Sequence, residues 1–169
     1  MRKPYYQGGL DGMCAVYSIV NSTKIISNTT DEQCRELFKG IISFLDQKHN
    51  LSNLLVDGMY ISIIGSIFSE VVKDLIHNRS MPFLRVNGLT LDTFWIEMMN
   101  FLSEPKRVIL LGLEGCTDHW TLVESMTDKQ MNLFDSSRMK KLYRSRCSII
   151  KETSRRPYKL VPTMTYFLS

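Results

Sequence analysis

Two residues in this chain combine a reactive type with a setting that suits nucleophilic chemistry. Cys14 follows Asp11-Gly12-Met13 and opens the run Cys-Ala-Val-Tyr-Ser-Ile-Val-Asn-Ser-Thr-Lys, whose apolar positions 15, 16, 19 and 20 share one helical face. A helix starting at Cys14 would hold the sulfur among unpaired backbone N–H groups at the positive end of the helix dipole, where a thiolate is favoured. His119 lies about a hundred residues downstream, behind the turn-forming Gly115-Cys116-Thr117-Asp118, where an imidazole could take the thiol proton. Asp135 ends the next strand-like segment. With a hairpin turn centred near Asp128-Lys129 its carboxylate is expected across from His119, able to fix the ring tautomer. Each residue taken singly also has a plainer reading: a buried cysteine, a hydrogen-bonded surface histidine, and an aspartate leading into a turn at Ser136-Ser137.

The elements that must position these groups can be read from periodicity. After the helix at Cys14, Thr30 followed by Asp31, Glu32 and Gln33 forms an N-cap signature, and Cys34, Leu37, Phe38, Ile41, Ile42 and Leu45 continue a second helix to about Lys48. A third helix is expected over residues 59–76, with Gly65 as a weak point, and a fourth from the Thr90 cap until Pro105 forbids continuation. The texture then changes. Residues 107–113 form a short apolar run, residues 119–124 alternate in the period of two, and residues 131–135 complete a hairpin with them. Residues 158–168 read as a final strand with Pro162 at an edge or bulge. Helices first and antiparallel strands after define an α+β class, in one domain spanning residues 1–169.

Composition sets outer limits. A chain of 169 residues with 44% apolar and 22% charged residues can bury a core of its own, so neither disorder nor a fibrous protein is expected. Cys14, Cys34, Cys116 and Cys147 are scattered without a CxxC pair and read as reduced thiols. Met1-Arg2-Lys3 begins like a signal peptide, but glycines interrupt the apolar stretch that should follow, so a cytoplasmic location is expected. No cofactor and no metal are expected: zinc-site spacing, a phosphate-cradling loop and a dinucleotide fingerprint are all missing. His49 and His77 read as solvated residues near helix ends. The net charge of +4 is uneven, because Arg138, Lys140, Lys141, Arg144, Arg146, Lys151, Arg155, Arg156 and Lys159 face only Glu152. Residues 138–159 therefore read as a solvated connection that returns to the core through Leu142, Tyr143, Cys147, Ile149 and Ile150, or as a surface for a larger assembly; nucleic acid is not expected, for want of a stacking-aromatic pattern.

Gln7, Asp11-Gly12-Met13-Cys14 opening a helix, Asp118-His119-Trp120 entering a strand, and Asp135 closing the next strand resemble the papain-like cysteine peptidase superfamily. The similarity is to its compact bacterial members, such as those that remove double-glycine leader sequences. It covers nearly the whole chain in the order Gln, Cys, His, Asp. Ala15 stands where relatives frequently carry glycine. The resemblance implies a papain-like fold in which helices pack on a C-terminal antiparallel sheet. It also implies Cys14 as nucleophile, His119 as general base and then acid, Asp135 as its orienting partner, and Gln7 as an oxyanion donor beside the backbone N–H of Cys14. For Gln7 itself, a polar residue in an exposed loop is the alternative. Trp120 is expected to pack against the catalytic helix. With so few residues ahead of Cys14, control by a propeptide is not expected.

The expected function is hydrolysis of a peptide or isopeptide bond in a peptide or protein substrate. An acyl transferase, deamidase or cross-linking enzyme would use the same acyl-enzyme with another acceptor, and a catalytically silent peptide-binding module would use the cleft alone.

Overall fold

The computed structural model describes residues 2–169. Five helices and a seven-stranded sheet form an α+β arrangement, in the order α1 (Cys14–Ile26), α2 (Asp31–Lys48), α3 (Leu51–Asp57), α4 (Ile61–Glu70), β1 (Arg79–Ser80), α5 (Leu91–Phe101), β2 (Val108–Gly115), β3 (His119–Met126), β4 (Gln130–Leu133), β5 (Lys141–Tyr143), β6 (Cys147–Ser148) and β7 (Tyr158–Leu168). The sheet order is β1-β7-β2-β3-β4-β5, antiparallel throughout this path, with β6 added parallel to β7. Among the described residues no helix is long and apolar enough to cross a membrane.

The caps behave as their chemistry dictates. Thr30 and Gln33 form a reciprocal capping box on α2, and the Thr90 hydroxyl accepts the Thr93 N–H at 3.1 Å on α5. Helix α1 has no such side chain at Met13; its first turn is met by Asp11, whose Oδ1 accepts the Met13 N–H at 3.1 Å.

Three expectations need correction. The helix expected over residues 59–76 starts at Ile61 and stops at Glu70. Beyond it, turns keep Val72 and Ile76 buried at helical spacing, so the apolar rhythm persists where the backbone ladder does not. Helix α3, capped by Asn50, occupies a stretch where no element was expected. Finally, the order is not strictly helices first and strands after, since β1 precedes α5, and the helices lie on both faces of the sheet. Helices α1, α2 and α4 cover one face with Val108, Leu110, Trp120, Leu122 and Tyr166, whereas Phe94, Trp95 and Met98 of α5 cover Ile109, Leu111, Val123 and Leu133 on the other. Strands β2 and β3 can be apolar on both faces for this reason. Burying each of the large α5 side chains contributes ~1.5–3 kcal/mol.

Helix α1 is buried almost all round, including Ser18, Asn21, Ser22 and Thr23, which apolar periodicity does not mark as interior. These polar groups are satisfied internally. The Ser18 hydroxyl donates to the Trp120 carbonyl at 3.0 Å, and Ser22 and Thr23 donate back to Ile19 and Val20. Asn21 clamps the chain entering the domain, accepting from the Tyr5 N–H at 2.7 Å and donating to the Tyr5 carbonyl at 3.0 Å.

Strand β7 carries the irregularity that Pro162 suggests. Leu111 pairs with Thr165 but Gly112 pairs with Val161, so residues 162–164 loop out of the ladder. A Cβ on Gly112 would lie 2.7 Å from the Met164 side chain, which is why glycine faces this bulge.

Candidate active site

Cys14, the first residue of α1, and His119, the first of β3, meet at one end of the sheet. The Trp120 N–H donates to the Cys14 sulfur at 3.4 Å. The Trp120 side chain is buried in the core cluster that also holds Ala15, Val16 and Ile19 of α1, with its indole N–H directed to the Met59 carbonyl at 3.3 Å. One residue thus ties the helix of Cys14, the strand bearing the histidine and the segment after α3 together. His119 Nε2 lies 2.6 Å from Oδ1 of Asp135, which leaves Nδ1 as the ring nitrogen free of that carboxylate, in a cleft that Cys14 also lines.

Asp135 is 1% exposed and fully engaged. Its Oδ1 also accepts the Thr121 hydroxyl at 2.7 Å, while Oδ2 accepts the N–H groups of Ser137 at 2.7 Å and Met139 at 3.1 Å. Burial by itself would raise its pKa. The His119 hydrogen bond and charge outweigh that, helped by Thr121 and Met139, and hold the carboxyl below its ordinary range. Burial would likewise depress His119, but the hydrogen bond and negative charge of Asp135, with Cys14 nearby acting in the same direction, raise it to about 9.

Asp135 lies across from Thr121 rather than from His119, and a β-bulge is responsible. Near the turn Met126 pairs with Met131 and Ser125 with Asn132, but Val123 pairs with Leu133, and the Phe134 N–H donates to the Leu122 carbonyl. One extra residue at Glu124 shifts the register. Without it, the register set at the turn would run Leu122 to Asp135 and turn the carboxylate to the face of Trp120. With it, His119, Thr121 and Asp135 share a face. The bulge also lets Val123 and Met126, three positions apart, both reach the core on the α5 side.

Gln7 stands over the same cleft. Its N–H donates to the Ser136 carbonyl at 3.1 Å, and the Ser136 hydroxyl donates to its Oε1 at 3.3 Å. With Oε1 accepting from Ser136, the side-chain NH₂ of Gln7 makes no hydrogen bond among the described residues. Asp11 takes the N–H groups of Gly8 at 2.8 Å and of Met13, so the Cys14 N–H beside it has no carboxylate claimant.

The cleft has a volume of about 840 Å³. Its helical side is formed by Gln7, Asp11, Gly12 and residues 56–59, and its sheet side by residues 113–115, Asp118, Glu152, Lys159 and Met164. Residues 56–59 belong to the segment around α3, so the unexpected helix builds one wall. Gly12 makes that wall possible: its N–H reaches the Leu55 carbonyl at 2.6 Å, and a Cβ there would lie 2.9 Å from the Gly58 nitrogen. Ser136, Thr121, Asp11 and the Trp120 N–H carry no reactive chemistry, and only the three-dimensional contacts reveal their parts.

The remaining candidates lie apart. All four cysteines are free; Cys34 and Cys147 are buried elsewhere, and burial pushes the Cys147 thiol up to about 12. Cys116 is exposed and outside the cleft lining. Among the described residues no group of three or more His, Cys, Asp or Glu side chains is placed to hold a metal ion. The basic segment returns to the core through Leu142 and Cys147, with Ile149 partly buried against it, whereas Tyr143 and Ile150, expected there too, stay exposed; Arg144 pairs with Asp92 and Lys159 with Glu114. No protein-family model matches the chain, and no curated protein matches its sequence.

Proposed function

We propose that this protein is a thiol-dependent hydrolase of papain-like fold that cleaves a peptide or isopeptide bond. One observation carries the reading: Cys14 at a helix start and His119 line one cleft, the sulfur accepting the N–H of Trp120 next to that ring, and the ring's Nε2 is held by a buried, fully engaged Asp135. A structural cysteine needs no such chain of partners.

In the proposed reaction the Cys14 proton already rests on the imidazole, and the sulfur attacks the carbonyl carbon as a thiolate. The oxyanion that forms is met by the Cys14 backbone N–H and the Gln7 amide. A ring that keeps its proton up to about pH 9 is well set to carry it and deliver it to the departing amine. Collapse of the adduct breaks the C–N bond and leaves a thioester on Cys14. Water then enters, gives a proton to His119 and attacks the thioester; the carboxylic acid leaves and the thiolate beside the protonated ring is restored.

The test is incubation with a mixture of peptides and isopeptides, followed by mass spectrometry of products and of the protein. Expected are a mass increment on Cys14 during turnover and complete loss of turnover in Cys14→Ala and His119→Ala, both still folded. Product formation that survives Cys14→Ala sinks the proposal. Products joined to an added amine in preference to water would reassign the enzyme to acyl transfer.

A further inference from the structure

The protein as a whole is cationic, with a net charge of +4, yet the walls around Cys14 are not. Asp11, Asp57, Glu114, Asp118 and Glu152 all line the cleft, against Lys159 and the His119 ring, whose charge is met by Asp135. Lys159 is already matched, with its Nζ 2.6 Å from Glu114. Asp11 is spent on the N–H groups of Gly8 and Met13. That leaves Asp57, Asp118 and Glu152, which are exposed and have no ion pair among the described residues.

Their placement is not that of a solvated face elsewhere on the surface. Asp57 ends α3 on the helical wall, Glu152 stands on the sheet wall with its Cβ 3.1 Å from where a Gly115 side chain would begin, and Asp118 is the residue before His119. A chain laid across Cys14 therefore has a free carboxylate to either side of it. Clefts lined by one sign of charge concentrate the potential inside them and draw ligands of opposite sign.

We propose that this cleft selects a cationic substrate, an extended peptide segment bearing lysine or arginine near the reacting carbonyl, with Asp57, Asp118 and Glu152 as its specificity-determining carboxylates. The inference deepens the hydrolase reading and rests on Cys14 marking the point of reaction. It runs against the net charge of the protein, so indiscriminate electrostatic attraction would give the opposite preference.

The experiment separates recognition from catalysis by using Cys14→Ala, which cannot turn over. Fluorescein-labelled glycine–serine peptides carrying two lysines, two glutamates or neither are titrated into it at low salt and followed by anisotropy. Expected is binding of the lysine peptide about tenfold tighter than the glutamate peptide, a ratio that falls towards one as salt rises and screening sets in. The shape-conserving double substitution Asp57→Asn with Glu152→Gln should remove most of the preference. Equal binding of the peptides, tighter binding of the glutamate peptide, or a preference untouched by the double substitution overturns the inference. If the lysine preference is present and wild-type protein cleaves none of the peptides or isopeptides, the inference as to ligand class stands and the hydrolase reading alone falls.

Discussion

Oδ1 of Asp135 lies 2.6 Å from Nε2 of His119 because β3 carries one residue more than β4 opposite it. The bulge at Glu124 turns the aspartate onto the histidine's face, where Thr121, Ser137 and Met139 complete its coordination. A buried carboxylate with four donors is a strong orienting partner, and its removal strands every one of them.

Replacing Asp135 should therefore separate charge from packing. Asp135→Ala leaves buried donors and an uncompensated imidazole, with an expected loss of ~3–5 kcal/mol in urea unfolding. Asp135→Asn keeps the shape but removes the negative charge, so the His119 pKa should drop well below about 9, read from its ring protons by NMR. Turnover should fall by about 10²–10⁴. An unchanged His119 titration in Asp135→Asn would show that the carboxylate does not control the ring.

The same pair sets a pH window for stability. His119 is raised from 6.5 to about 9, so its contribution is complete below 6.5 and is lost as pH rises through about 9. Asp135 is lowered from 3.8, so its contribution is present above 3.8 and is lost as pH falls through the depressed value. Wild-type protein should lose stability relative to His119→Gln between about pH 6.5 and 9, measured as the difference in urea midpoints. Parallel midpoints for the two proteins across that window would contradict it.

Gln7 and Ser136 are joined by two hydrogen bonds across 129 positions of chain. If Gln7 stabilises the oxyanion, Gln7→Ala should lower kcat by about 10²–10³ with little change in KM. Ser136→Ala, which releases Oε1 without removing the amide, should cost roughly tenfold. A Gln7→Ala defect confined to KM would reassign the residue to ground-state binding.

Gly12 is the contact between the turn before Cys14 and the α3 wall. A Cβ at this position meets backbone, 2.9 Å from the Gly58 nitrogen and 3.3 Å from the Leu55 oxygen, so neither neighbour can swing aside. Gly12→Ala is expected to cost ~1–3 kcal/mol in thermal or urea unfolding and to displace the wall formed by residues 56–59. Gly9→Ala, with nothing within 4 Å, should be near neutral and serves as the control. Equal stability of the two variants would refute the close packing.

What the sequence determined by itself was the local chemistry: a cysteine at a helix start, a histidine at a strand start, the Thr30 and Thr90 caps, the end of α2 at Lys48 and the long strand at residues 158–168. Such features depend on neighbours a few positions apart, where periodicity and capping act. The α3 wall, the burial of Ser18 and Asn21, and the return of Gln7 onto Ser136 depend on contacts between distant segments. So does the alignment of Asp135 with Thr121. In a ladder with a period of two, one inserted residue exchanges the two faces, and only the packing of Val123 and Met126 into the same core decided where that residue would go.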